Sequence, residues 1–203
     1  DIIAATAGPG LIGALLVGLT YAKGLAYSVN KSFIPVNHVE GHIYSGFLMQ
    51  EKPKFPYLCL AVSGGNTILL IVESDTKIIK LGSTIDDAVG EAFDKVSKLL
   101  GLGYPGGPKI EEYSKKGDCN SIKFPISKTK NDLDFSFSGL KTAVLRYTQK
   151  EFPNGKIPEF AIFDIASSFQ STAIRSLTNN VEKALKKFKV KRFSIVGGEA
   201  VNS

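Results

Sequence analysis

Two apolar runs, Tyr57–Val62 and Ile68–Val72, lie on either side of Ser63-Gly64-Gly65-Asn66-Thr67. Each run has the length of a strand and is partly β-branched, so a glycine pair between them reads as the turn of an antiparallel hairpin. Lys77–Leu81 reads as a third strand. From Asp86 or Asp87 onward, Ala88, Ala92, Phe93, Val96, Leu99 and Leu100 recur at the helical period and stop at Gly101, which predicts a helix.

The rest of the chain continues the mixture. Ile2–Ala5 and Phe33–Val36 read as short strands on either side of a helix of about fifteen residues, whose glycines and alanines imply close packing on a sheet. Asn37 is a helix cap, with its helix running to about Met49. Gln50–Pro56 is polar, holds two prolines and is the best linker, so residues 1–50 and 51–203 are expected as separate domains. Tyr104-Pro-Gly-Gly-Pro108 is a rigid loop, with Pro108 in the first turn of a helix to about Lys116. Lys123–Ile126 and Phe135–Phe137 are strand-like, Ser138 or Gly139 starts a helix to about Lys150, and Glu159–Phe188 is helical in one or two pieces. Phe193–Val196 is a last strand entering Gly197-Gly198. The class is α/β with a mixed sheet.

Composition excludes several alternatives. With 43% hydrophobic and 22% charged residues in 203, the chain is neither disordered nor collagen-like. No stretch reaches the roughly 18 uninterrupted apolar residues of a membrane span, since Leu11–Leu25 is broken by Gly13, Gly18, Thr20, Lys23 and Gly24. No membrane partner is expected. Cys59 and Cys119 cannot build a disulfide framework or a cysteine-only zinc site, and no secretory signal is visible, so a reducing, cytoplasmic location is the default. The chain opens at Asp1 in an apolar run and closes just after a strand, and reads as a piece of a longer protein, incomplete at both ends. Net charge is +6, which fits an anionic partner such as nucleic acid as well as a merely solvated lysine-rich surface. The densest run, Lys186, Lys187, Lys189, Lys191 and Arg192, lies at a helix end, where cations suit the macrodipole.

Few side chains offer chemistry. The only two histidines, His38 and His42, stand about one helical turn apart and leave one face, so both imidazoles can reach one metal ion at about 2.0–2.1 Å; two unrelated helical histidines are the alternative. Two ligands need a third. Glu40 is about 200° round the helix from His38, which argues against the metalloprotease arrangement, where Glu directly follows the first His. Gly64 and Gly65 free backbone N–H groups to approach a phosphate or carboxylate, with hydroxyls from Ser63 and Thr67 beside them; a plain hairpin turn is the alternative. Gly106-Gly107 and Gly197-Gly198 carry the same two readings. Asp86, Asp87, Glu91 and Asp94 cluster at a helix start, mostly as surface charge that suits the dipole; Asp87, Glu91 and Asp94 also share a face, where a carboxylate could take hydrogen bonds from a ribose. Ser136 and Ser138 near Lys141 lack a histidine base; Ser138 reads as a cap.

TAGPGLIGALLVG (Thr6–Gly18), NHVEGH (Asn37–His42), VSGGNT (Val62–Thr67), DDAVGEAFDKVSKLLGLGYPGGP (Asp86–Pro108), DFSFSGLKTAV (Asp134–Val144) and GGEAVNS (Gly197–Ser203) together resemble the tRNA N6-adenosine threonylcarbamoyltransferases. The motifs run in order over essentially the whole chain, and YPGGP and FSFSGLKTAV resemble the bacterial or organellar branch. The resemblance implies the two-lobed actin/Hsp70/sugar-kinase (ASKHA) fold with ligand in the interlobe cleft. Residues 1–50 would end the N-terminal lobe and carry the metal-binding helix, and residues 51–203 would be most of the second lobe. It implies transfer of threonylcarbamoyl from threonylcarbamoyl-AMP to N6 of adenosine 37 in tRNAs reading ANN codons, with AMP leaving.

Residue by residue, the resemblance makes His38 and His42 the metal histidines, with one divalent ion per subunit, Fe2+ favoured and Zn2+ the alternative. Val62, Ser63, Gly64, Gly65 and Asn66 match the loop touching the acyl-adenylate, Asp94, Gly107 and Glu111 the nucleotide contacts, and Asn202 the asparagine near the adenosine. No general base is evident. Asn66 stands where the family has His, Glu199 replaces a usually apolar residue, and the third metal ligand, an Asp near the family's C-terminus, has no counterpart here, as have the first strands of the N-terminal lobe. This piece alone is therefore expected to transfer little. Implied partners are tRNA, a paralogous dimer partner (TsaB-like) and a small ATPase (TsaE-like) in bacteria, or a homodimer in mitochondria. The competing readings are an ATPase or phosphotransferase of the same fold, which has no need of the histidines, and a non-catalytic paralogue acting as a scaffold.

Overall fold

A computed structural model describes residues 1–48 and 51–198. The chain divides into two compact units, Asp1–Pro53 and Lys54–Ser203. In the first, β1 (Ile3–Gly8) runs into α1 (Ile12–Ser28) and returns as β2 (Phe33–Asn37), parallel to β1 with Ile3 opposite Phe33 and Thr6 opposite Val36. Then α2 (His38–Ser45) follows without a break, ending in a 3-10 turn at Gly46–Leu48. The helix is shorter than expected, and Met49 and Gln50 lie outside the described residues. The expectation for α1 needs correcting too. Only Ala22 and Ala26 are buried, and a Cβ at Gly13, Gly18 or Gly24 would meet nothing within 4 Å, so those glycines mediate no close packing within this unit.

The second unit is built on a four-stranded sheet in the order β5-β4-β3-β6. The hairpin is as read: β3 (Tyr57–Val62) pairs antiparallel with β4 (Thr67–Ser74), from Tyr57 opposite Val72 to Val62 opposite Thr67. Next, β5 (Lys77–Ser83) continues the meander. The last strand, β6 (Phe193–Val196), lies parallel to β3, with Leu58 opposite Phe193 and Ala61 opposite Val196. Every residue of β3 is buried, as befits a strand flanked by strands on both sides.

Four helices complete the unit: α3 (Val89–Leu99), α4 (Gly106–Ser114), α5 (Ser138–Glu151) and α6 (Glu159–Phe188). The apolar period of α3 sets Val89, Ala92, Phe93 and Val96 against Leu58, Leu60 and Leu69 of the sheet, with Ile110, Val144 and Phe169 from the other helices in the same core. Burying each of these side chains larger than alanine is worth about 1.5–3 kcal/mol. Tertiary packing also makes α6 one unbroken helix of 30 residues rather than two.

Three local expectations fail for physical reasons. The helix α3 begins at Val89, not at Asp86 or Asp87: the Thr67 hydroxyl, not a local side chain, accepts the Val89 N–H at 2.9 Å. Lys123–Ile126 forms no strand; Pro125 has no N–H to give a ladder, and Phe124 instead buries its ring in the core. Of Phe135–Phe137, only Phe135 joins a ladder, as an isolated bridge to Thr84.

Candidate functional site

Because β3 and β6 are parallel, the turns that leave them emerge at the same end of the sheet. Gly197 has φ +104°, and a Cβ there would overlap the carbonyl of Val62, so its backbone lies directly against the last residue of β3. The Ser63 turn and the Gly197 turn are thus neighbours, although some 130 residues of chain (residues 67–196) separate them. Carboxyl ends of strands in open α/β sheets are where ligands bind.

The hairpin turn is held from within. Ser63 N–H donates to Asn66 O at 2.8 Å, and Ser63 Oγ accepts from Asn66 N–H at 3.1 Å and from Asn66 Nδ2 at 3.4 Å. Gly64 and Gly65 are exposed, have open space where a Cβ would stand, and donate neither N–H to any described residue. Two adjacent unpaired N–H groups plus the Asn66 amide make a small donor array suited to an anionic group. Thr67 is not part of it. It is fully buried, its carbonyl taking the Thr84 N–H at 2.8 Å and its hydroxyl capping α3. The expected Thr67 donor is therefore structural, fastening both ends of the 84–89 loop to the glycine turn.

Asp94 and Gly107 meet through α4. Asp94 Oδ1 accepts the Gly106 N–H at 2.7 Å, satisfying the first donor of a helix whose own N-cap residue is a proline. A Cβ on Gly106 would collide with the backbone of Phe93 and Asp94. Gly107 is buried beside it, and Glu111, about one turn on, has Oε1 at 2.7 Å from Lys115 Nζ. The expected face of three carboxylates does not form. Lys95 bridges Asp87 at 2.7 Å and Glu91 at 2.8 Å, while Asp94 turns to α4.

Asp86 is the residue that sequence reasoning underrated. Its carboxylate accepts from Ser136 Oγ at 2.6 Å, Phe137 N–H at 2.9 Å, Ser138 Oγ at 2.9 Å and Ser138 N–H at 3.3 Å. Ser138 is thus not the cap of α5; Asp86 caps it from 52 residues away. Partial burial alone would raise the Asp86 pKa, but the bonds from Ser136, Phe137 and Ser138 together hold it below the usual carboxylate range. A carboxylate so stabilised is a poor base, which removes the serine-nucleophile reading. Sequence gave one hint, the two serines flanking Phe137.

In the first unit, Asn37 Oδ1 accepts from Val39 N–H at 2.9 Å and Glu40 N–H at 3.2 Å, fixing the first turn of α2. His38 and His42 are half-buried on one face, with Nε2 atoms 3.1 Å apart and rings at 71°. Two ligand nitrogens on a tetrahedral ion would be about 3.3 Å apart, so the pair fits one divalent metal. Burial, then the neighbouring His38 ring, lowers the His42 pKa and favours the neutral, ligating form. A cavity of about 290 Å³ reaches His38, lined also by Thr6, Pro9 and Gly10. Glu40 is exposed, and among the described residues no third His, Cys, Asp or Glu joins the pair. Asn202 and Glu199 lie outside the described residues.

A second cavity, of about 350 Å³ between β3, β6 and α6, is lined mainly by aliphatic and aromatic side chains such as Leu60, Phe93, Ile174 and Phe193, with Gln170, Thr178 and Glu182 its polar members and no cation to favour an anion.

The fold as a whole matches that of HypF from T. kodakarensis, with a TM-score of 0.70 over 100% of this chain and 35% of that one, at 18% identity. The chain thus has the mixed α/β fold of the ASKHA class. Residues 1–203 match the family model of tRNA N6-adenosine threonylcarbamoyltransferase. The proteins of that name from Clostridium perfringens (strain SM101 / Type A) and Clostridium botulinum (strain Hall) are 51% and 50% identical to it, over 205 and 204 residues and 100% of this chain. The chain belongs to the tRNA N6-adenosine threonylcarbamoyltransferase family, and spans about 60% of the length of these relatives.

Proposed function

We propose that this chain serves the transfer of a threonylcarbamoyl group from threonylcarbamoyl-AMP to N6 of adenosine 37 in tRNAs that read ANN codons. The observation that carries this reading is the donor array of Gly64, Gly65 and Asn66, set beside the Gly197 turn at the carboxyl end of the sheet. Those donors suit the phosphate and carbonyl oxygens of an acyl-adenylate, where charge grows as the bond to phosphate breaks. The adenosine N6 forms the new C–N bond, AMP departs with the electron pair of the C–O bond, and the N6 proton passes to solvent or AMP. Adenine N6 is a weak nucleophile, so holding the two reactants together supplies most of the acceleration.

Val62 and Ser63 form the floor of this subsite. Asp94 acts chiefly by fixing the start of α4, which presents Gly107 and Glu111 to the nucleotide; Asn202 completes the nucleoside contacts. His38 and His42 would hold one divalent ion, Fe2+ ahead of Zn2+. Such an ion, when bound, polarises substrate oxygens as a Lewis acid. The partners are tRNA and, in a bacterium, a TsaB-like paralogue and a TsaE-like ATPase; a mitochondrial form would be a homodimer. The cytoplasm is the expected location, or an organelle in a eukaryote.

In cells whose only copy of the gene is deleted, threonylcarbamoyladenosine should vanish from ANN-reading tRNAs by mass spectrometry of nucleosides. Undiminished nucleoside would reject the transferase. His38→Ala in the full-length protein should lose its bound Fe2+ or Zn2+ by elemental analysis, and unchanged stoichiometry would reject the metal assignment.

A further inference from the structure

The second unit's sheet has an opposite pole. The amino ends of β3 and β6 lie about 16 Å from the glycine turns, the length of a six-residue strand. Here α6 ends, with Lys189 in a left-handed conformation, and the chain turns into β6. Lys183, Lys186, Lys187, Lys189, Lys191 and Arg192 fall within ten residues without one acid, and all six are exposed. With them set aside, the chain holds 19 basic and 19 acidic side chains, so its whole net charge of +6 resides in this segment.

Tertiary contacts add to the cluster. Arg192 O accepts the Leu58 N–H at 2.9 Å, and its guanidinium donates to Phe55 O at 3.3 Å, which brings exposed Lys54 to the same pole. Neutralisation is slight. Lys186 approaches Glu182 at 3.9 Å, and Lys183 reaches only the Asp132 carbonyl and the Asn180 amide oxygen. Glu73 and Asp75 share this pole but sit at the β4–β5 hairpin, across β3 from β6, and Glu73 pairs with Lys77. One or two lysines would suffice for the helix dipole, which acts within the last turn; six cations passing on to a strand exceed that need.

We infer that this pole is a docking surface for the tRNA phosphate backbone, separate from the donor array that holds the acyl-adenylate. The inference rests on the transferase reading for its partner. An RNA with one nucleotide at the glycine turns can lay its backbone along the unit, and a cluster of exposed cations at the far pole, of which only Lys186 comes within 4 Å of a carboxylate among the described residues, is the chemistry that holds phosphates without reading bases.

The test compares two fourfold variants of the full chain: K186Q/K187Q/K189Q/K191Q, and K80Q/K98Q/K150Q/K156Q, with the same net-charge change scattered elsewhere. The probe is an unmodified ANN-reading tRNA transcript, titrated over a range of salt concentrations, with melting temperature and AMP binding measured alongside. The clustered variant should bind the transcript about tenfold or more weakly at low salt. Its slope of log Kd against log salt should be shallower by about 1 or more. The scattered variant should stay within about twofold of wild type, and both should keep their AMP affinity and melting temperature. Equal losses in the two variants, or no loss in the clustered one, would overturn the docking surface while leaving the transferase reading intact. A wild-type chain with no affinity for the transcript would overturn both.

Discussion

A single carboxylate can organise a segment that its own sequence neighbours do not. Asp86 gathers four hydrogen bonds from Ser136, Phe137 and Ser138 and caps α5 from outside. Hydrogen bonds to a charged group are worth about 1 kcal/mol more than those to a neutral one, so Asp86→Asn, which keeps an acceptor but loses the charge, should lower the free energy of urea unfolding by roughly that amount at neutral pH. The pH dependence has a definite sign. The folded pKa lies below the ordinary 3.8, so the stabilisation is present above that value and is lost as pH falls through the folded pKa. The gap between wild type and variant should therefore narrow progressively as pH falls below about 4 in a series of unfolding curves. A gap independent of pH would mean that the hydrogen bonds do not favour the charged form. At this scale the sequence was only partly legible. The acidic cluster was visible, but whether Asp86, Asp87 and Asp94 met a ligand, a lysine or a helix end depended on residues up to 52 positions away.

Among the elements, glycines sort into two kinds that the sequence writes alike. Gly106 and Gly197 are pressed against backbone, of Phe93 and Asp94 in one case and Val62 in the other, and Gly197 also has positive φ. Gly106→Ala and Gly197→Ala should each destabilise the protein by about 2–4 kcal/mol, because backbone atoms cannot yield as a flexible side chain does. Gly64→Ala meets open space at a φ outside the left-handed region, so its stability should stay within about 0.5 kcal/mol of wild type. Thermal melts separate the two classes. The same Gly64→Ala variant should bind AMP more weakly, since its methyl group intrudes where the anion would approach; unchanged AMP affinity would argue that the turn only joins two strands. The hairpin, α3 and α5 were readable because alternation and the 3.6-residue period are local consequences of which face is buried. The start of α3 was not, since its cap, Thr67, comes from another element.

At the level of the molecule, the burial of β3 makes a measurable claim about cooperativity. Cys59 sits in the middle of that strand with no exposure, and burial pushes its thiol pKa up to about 12. Cys119 is exposed. A thiol reagent at pH 8 should modify Cys119 promptly, and Cys59 only at the rate at which the sheet opens, so that its labelling free energy tracks that of global unfolding. Rapid labelling of both cysteines in native protein would show that β3 and β4 part without unfolding the unit.

Pattern along the chain was enough for the α/β class, the glycine hairpin, the helical histidine pair and the family, because each depends on spacings of a few residues or on motifs that stay contiguous. What needed the folded chain was which groups those elements share. Parallel pairing of β6 with β3 set two distant glycine turns at one end of the sheet and gathered Lys54 and Arg192 with the lysines at the other. Burial turned Thr67 from a candidate ligand donor into a helix cap. Contacts of that kind depend on strand order and on which backbone N–H groups remain unpaired once the core has closed, and neither is encoded by any short stretch of residues.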